Sequence, residues 1–180
     1  MYRILLFVCT ASLALYSCNS ATPQKNFELA ALNCNLLYGF AGYELKRDLA
    51  SPQEKLVDEK TMKMARITRG EVVKEKLTRV EENYEKVKSL GSNDDAAAMI
   101  KASLVLYEFV LPVYKNEYTQ LAALYDKNTA PGIIVAAEKK IRDKYAARFE
   151  ELYKNVTNTG MVYAEKNGLK VRQVNPSPSN

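Results

Sequence analysis

Between residues 97 and 125 an apolar or aromatic side chain recurs every three or four positions. Ala97, Ile100, Leu104, Tyr107, Leu111, Tyr114, Tyr118, Leu121 and Tyr125 step 3-4-3-4 without a break. That period keeps one stripe of an α-helix facing its neighbours, whereas a strand would alternate every two residues. Val105, Phe109, Val110 and Val113 add apolar side chains on other faces, more than one seam requires. Either this helix is central in its own bundle, or its second face meets another chain. Pro112 falls inside it and leaves the Glu108 carbonyl without its usual donor. A structural kink is expected there, with a hinge or a pocket as the alternative.

The rest of the chain reads with the same period, and no segment alternates like a strand. A first helix is expected from about Asn26 to Leu49, with Phe27, Leu29, Leu32, Leu36, Phe40, Tyr43 and Leu45 as its stripe. Gly39 and Gly42 are read as points of close helix packing. Ser51-Pro52-Gln53-Glu54 is a strong helix start, and the following helix is expected to reach about Leu90 before Gly91. Thr68-Arg69-Gly70-Glu71 is a second capping-box pattern, so residues 52–90 form one kinked helix or two helices joined near Gly70. Ser92-Asn93-Asp94-Asp95 starts the long helix described above. Asn128–Gly132 makes a turn, and a last helix runs to about Asn167 with Gly168 as its terminator. Its buried face is traced by Ile134, Ile141, Tyr145, Phe149, Leu152, Val156, Gly160 and Tyr163. Helices of about 35 residues would be roughly 50 Å long. The expected fold is all-α: an elongated up-and-down antiparallel bundle of about four long helices.

The N-terminus differs from this pattern. Met1-Tyr2-Arg3 supplies a basic start, Ile4 to Leu15 is mostly apolar, and Leu15-Tyr16-Ser17-Cys18 follows. The apolar run is too short for a stable membrane span. Leu-x-Ser-Cys resembles the lipobox of bacterial lipoproteins, although Tyr16 is less usual there. That resemblance implies a signal peptide over residues 1–17, cleaved before Cys18, and lipidation of the Cys18 thiol and amine. An ordinary secretory signal with a chance cysteine is the alternative. Residues 18–25 then form the lipidated cysteine and a polar tether, residues 26–170 the helical domain, and residues 171–180 a disordered tail. No acidic residue directly follows Cys18, and for a chain with this lipobox the resemblance then implies the periplasmic side of the outer membrane as the location, with surface exposure as an alternative.

Composition excludes several chemistries. The chain has no His, which removes Ser-His-Asp and Cys-His triads, His-ligated zinc or haem, and the Glu-x-x-His di-iron pattern. With Cys9 in the signal and Cys18 lipidated, only Cys34 remains, and its leucine-rich surroundings suit a buried, inert thiol. A net charge of +5 with both signs interspersed reads as a solvated surface and points to no nucleic-acid partner. No segment after the signal is read as a membrane span. Met62-Lys63-Met64 reads as partly buried filler, with soft-metal ligation a remote alternative. Glu81, Glu82 and Glu85 read as a solvated charged face. The tyrosines of residues 97–125 read as core, or as a binding stripe if exposed. No catalytic, cofactor-binding or metal-binding residues are assigned.

Residues 94–169 carry a looser resemblance. Asp95-Ala96-Ala97 opens a long helix, aromatic Tyr107 and Glu117-Tyr118 follow, and Tyr163-Ala164-Glu165-Lys166-Asn167-Gly168 closes the last helix. This resembles a family of small helical bacterial surface lipoproteins of unknown function, first named from a spirochaete. It implies fold and location and supplies no catalytic residues. The expected function is that of a non-enzymatic, lipid-anchored envelope protein, bound to the membrane through its anchor and to a protein partner or a second copy. The alternative is a carrier or sensor holding a small apolar ligand between helices near Pro112.

Overall fold

A computed structural model describes residues 22–42, 48–51, 53–91 and 94–171. The lipobox, Cys18, residues 18–21 of the expected tether, Tyr43 and Leu45 of the expected first stripe, Pro52 of the expected helix start, Ser92-Asn93 and residues 172–180 lie outside the described residues. The described chain is mostly helical, with one small sheet.

Helix α1 spans Pro23–Ala30. Thr22 caps it by accepting from the Lys25 amide, and Pro23 occupies the first helical position, where a missing N–H costs nothing. Residues 23–25, expected as tether, are therefore helical. The expected long helix from Asn26 to Leu49 does not form. The chain tightens into a 3-10 segment over Leu32–Leu37, then leaves helical geometry where Gly39 (φ +80°) and Ala41 (φ +56°) turn left-handed. Long-range contacts hold this exit. The Ala41 amide donates to Tyr118 Oη at 2.6 Å, and the Phe40 ring sits 4.9–6.2 Å from those of Phe109, Tyr114, Tyr118 and Phe149.

Residues 53–67 form an antiparallel hairpin, correcting both the all-α expectation and the expectation of helix from residue 52. Strand β1 (Gln53–Asp58) pairs with β2 (Lys63–Ile67), with Glu54 opposite Arg66, Lys55 opposite Ala65 and Leu56 opposite Met64. Asp58 Oδ1 accepts from the amides of Lys60 (2.9 Å) and Thr61 (3.3 Å), which shapes the turn, and Met62 (φ +53°) completes the reversal. One row of side chains faces the protein. Ile67 is buried, and the Lys55 ammonium lies 3.6 Å from Glu75 and 4.0 Å from Glu71.

Helix α2, Arg69–Lys88, starts at the Thr68–Glu71 capping box, so the second start pattern is the real one. Its buried residues are Val73, Val80 and Val87, spaced at seven as a narrow seam requires. Helix α3 (Ala97–Val113), a π-helical segment (Tyr114–Tyr118) and helix α4 (Thr119–Asp126) follow as one unbroken helix. Helix α5 runs Pro131–Lys166, and Gly168 (φ +65°) follows its end.

The passes alternate in direction. Tyr84 bonds Glu108, Lys115 pairs with Glu81, and Arg69 meets Asp126, so α2 and α3–α4 are antiparallel. Tyr125 bonds Glu138, Tyr145 bonds Glu117, and Lys166 reaches Asp95, so α5 runs back along α3–α4. The N-terminal pass descends against α5: Asn26 donates to Tyr163 Oη, Phe27 and Ala31 flank Gly160, and Tyr153 donates to Asn35. Three passes are long helices, and the first is irregular where a fourth long helix was expected.

Residues 97–126 form a helix long and apolar enough to cross a bilayer, which corrects the expectation that no such segment follows the signal. Half of its most apolar stretch is buried, and it packs between α2 and α5 with the N-terminal pass against it. Its buried face differs from the expected seam. Met99, Ala102, Ser103, Leu106 and Val110 are interior, whereas Ala97 is exposed and Ile100 and Leu104 are half-buried. From Tyr107 through Leu121 the expected core residues are buried as read. Val110 and Val113 are also buried, leaving Val105 exposed, so the central-helix alternative accounts for most of the apolar surplus.

Candidate functional site

The most irregular stretch of the long helix adjoins its main concavities. Pro112 cannot donate to Glu108, and two residues later the helix widens into the π segment Tyr114–Tyr118. Side chains cap backbone carbonyls here: Asn116 Nδ2 donates to the Pro112 carbonyl at 2.9 Å, and Thr119 Oγ1 to that of Tyr114 at 3.0 Å. Tyr114 and Tyr118, at the two ends of the π segment, are both buried. Single π turns inside helices recur at functional sites.

Two adjoining open clefts flank this segment. One, of about 250 Å³, lies between α4 and α5, with Leu121, Leu124, Ala137 and Ile141 as its apolar wall and Gln120, Lys140 and Lys144 at its rim. The other, of about 280 Å³, lies beside Phe109, Pro112, Val113 and Glu108. Asn116, Glu117 and Tyr145 line both. Each is smaller than the roughly 300–1,000 Å³ of a pocket that encloses a small ligand. Burial pushes the Glu117 carboxyl up, but the Tyr145 hydroxyl, a backbone N–H and Lys144 at 3.5 Å together hold it below its usual value. Glu117 is thus an engaged carboxylate at neutral pH.

The other sequence candidates fall as follows. Cys34 is buried; its Sγ lies 3.3 Å from Ser103 Oγ, and burial pushes its thiol up, away from reactivity. The Tyr107 hydroxyl beside it is buried and lacks a hydrogen bond of good geometry, with Cys34 and Asn83 its nearest polar influences. Tyr107, Tyr114 and Tyr118 are core residues, and Tyr125 is half-buried with its hydroxyl on Glu138 at 2.6 Å. Glu81 pairs with Lys115 and Glu85 with Lys88 along an open surface groove on α2. Among the described residues no three His, Cys, Asp or Glu side chains gather as metal ligands.

The sequence reading missed the hairpin surface. Met62 and Met64, expected as partly buried filler, are 69% and 50% exposed, and Leu56 and Val57 beside them are 41% and 47% exposed. The register places Leu56 directly across from Met64 on the outward face. The hairpin adjoins the start of α2, at the end where α4 meets α5. Thr22 and α1 lie at the other end, near Tyr163. Lys63-Met64-Ala65-Arg66-Ile67 does not alternate polar with apolar, so no local period marks the strand, and the helix-start pattern before it points the other way. No family model, curated protein or solved structure matches this chain.

Proposed function

We propose that this chain is a lipid-anchored, non-enzymatic protein of the cell envelope that works by contact. Cys18 is the lipidated residue, and the periplasmic side of the outer membrane is its location. The observation that carries the contact role is the separation of two ends. The first described residue, Thr22, stands four positions after Cys18 at one end of the helical passes. The exposed apolar hairpin stands at the other. Helix α5 alone, with 36 residues, spans about 54 Å at 1.5 Å per residue. The body is an up-and-down bundle in which the irregular N-terminal pass takes the place of a fourth helix. Anchored at one end, it holds an apolar face well away from the bilayer, which suits a partner protein or a second copy.

The test is metabolic labelling with radioactive palmitate followed by membrane fractionation. The wild-type chain is expected to carry label and to sediment with membranes, and Cys18→Ala to lose both. Equal labelling of the two would overturn the anchor. A second reading, a carrier of a small apolar ligand, is favoured by the adjoining clefts beside Pro112 and the π segment. Native mass spectrometry of the purified protein tests it: a reproducible bound mass that Ala137→Trp abolishes supports the carrier, and its absence counts against it.

A further inference from the structure

We infer that the outward face of the β1–β2 hairpin binds a second copy of this chain, face to face, about a twofold axis running parallel to the strands. This rests on the contact role proposed above and names the partner. Successive side chains in a strand point to opposite faces, so the register sorts the hairpin into two rows. The inner row, with Lys55 and Ile67, is committed to the protein through Glu71, Glu75 and the core. The outer row consists of two cross-strand pairs, Glu54 opposite Arg66 and Leu56 opposite Met64.

That arrangement is self-complementary. A rotation of 180° about an axis between two such faces, parallel to the strands, lays β1 of one copy over β2 of the other. Glu54 then faces Arg66 of the second copy, and Leu56 faces Met64 of the second copy, each contact occurring twice. Sheets stacked about 10 Å apart interdigitate side chains of this length. A twofold interface needs a patch that matches itself, and this pattern of opposite charges and paired apolar residues does. Within one chain, Arg66 Nε and Glu54 Oε1 stand 4.0 Å apart, with side chains 78% and 53% exposed. So loose a pair is worth little and is free to exchange partners. A two-stranded sheet held to the protein on one face only is supported further when its outward apolar residues are covered.

The face is small. Stable interfaces bury upwards of about 1,200 Å², more than a few hairpin residues per copy provide. The association is therefore weak in dilute solution and strengthens when both copies share a membrane, where confinement raises their effective concentration.

The test uses two differently tagged full-length copies expressed together, cross-linked with formaldehyde in intact cells, where both share the membrane, and then extracted in detergent. Wild-type copies are expected to co-purify. Two Arg66→Glu copies set like charges face to face and should lose co-purification, as should two Glu54→Arg copies. One copy of each restores both opposite-charge contacts, so co-purification should return to near the wild-type level. Failure of wild-type copies to co-purify, persistence in the Arg66→Glu pair, or no recovery in the mixed pair would each overturn the inference. Palmitate labelling of the same samples reads the anchor independently, so failure of the twofold contact and failure of the anchor are distinguishable.

Discussion

The carboxylate of Asp126 closes the N-terminus of a helix to which it does not belong. As the last residue of α4 it accepts from the Arg69 amide at 2.8 Å and the Gly70 amide at 2.9 Å, the first two residues of α2. The capping box satisfies two more amides, Thr68 donating to the Glu71 carboxylate and Glu71 to Thr68 Oγ1, so two carboxylates serve one helix end. A carboxylate at a helix N-terminus also meets the favourable end of the helix dipole. Asp126→Ala is expected to cost about 1–2 kcal/mol, in the range of lost N-caps, and Asp126→Asn less. Urea unfolding followed by circular dichroism measures both, and an unchanged midpoint for Asp126→Ala would show that the contact is idle.

Gly160 lets the N-terminal pass approach α5. A Cβ built there would stand 3.0 Å from Ala31 Cβ and 3.5 Å from Phe27 Cε2. Gly160→Val adds further atoms against both neighbours and should destabilise by roughly 1–3 kcal/mol, the usual range for overpacking. Gly91→Ala, where a Cβ would meet nothing within 4 Å, is the control in the same thermal melts. Equal melting temperatures for the two variants would contradict the close approach.

The Cys34 thiol is buried and its acidity is suppressed, so native protein should resist thiol reagents. Reaction with a coloured disulfide reagent is expected to be negligible for hours in buffer and complete within minutes in guanidinium. Rapid reaction of native protein would mean that the N-terminal pass opens readily.

The core tyrosines predict a loss of stability in alkali. Burial pushes the hydroxyls of Tyr107, Tyr114 and Tyr118 far above their ordinary value. A group whose acidity is weakened by folding favours the native state fully below its unfolded pKa, near 10 for tyrosine. That contribution is lost as the pH rises from about 10 toward the folded values. Melting temperatures should therefore fall steeply above about pH 10, with part of the tyrosinate absorbance appearing only on unfolding. Full tyrosinate absorbance in still-folded protein would place these hydroxyls in solvent.

The two longest helices are legible in local sequence alone. The 3-4 spacing over residues 97–125, the Asn128–Gly132 turn and the terminating Gly168 mark α3–α4 and α5, because apolar period and end signals are local properties of a chain. The Thr68–Glu71 capping box was legible for the same reason. Segments with competing local signals took their form from long-range contacts. Ser51-Pro52-Gln53-Glu54 has the form of a helix start, yet Gln53 begins a strand. The pairing of Leu56 with Met64 and the reach of Lys55 to α2 involve residues whose meeting no local pattern encodes. Likewise Gly39 and Gly42 read as packing points within a helix, whereas the Phe40 ring cluster and the Ala41–Tyr118 hydrogen bond end it there. The outward hairpin face became visible only once the register was set, because a shift of one residue would turn each exposed side chain inward.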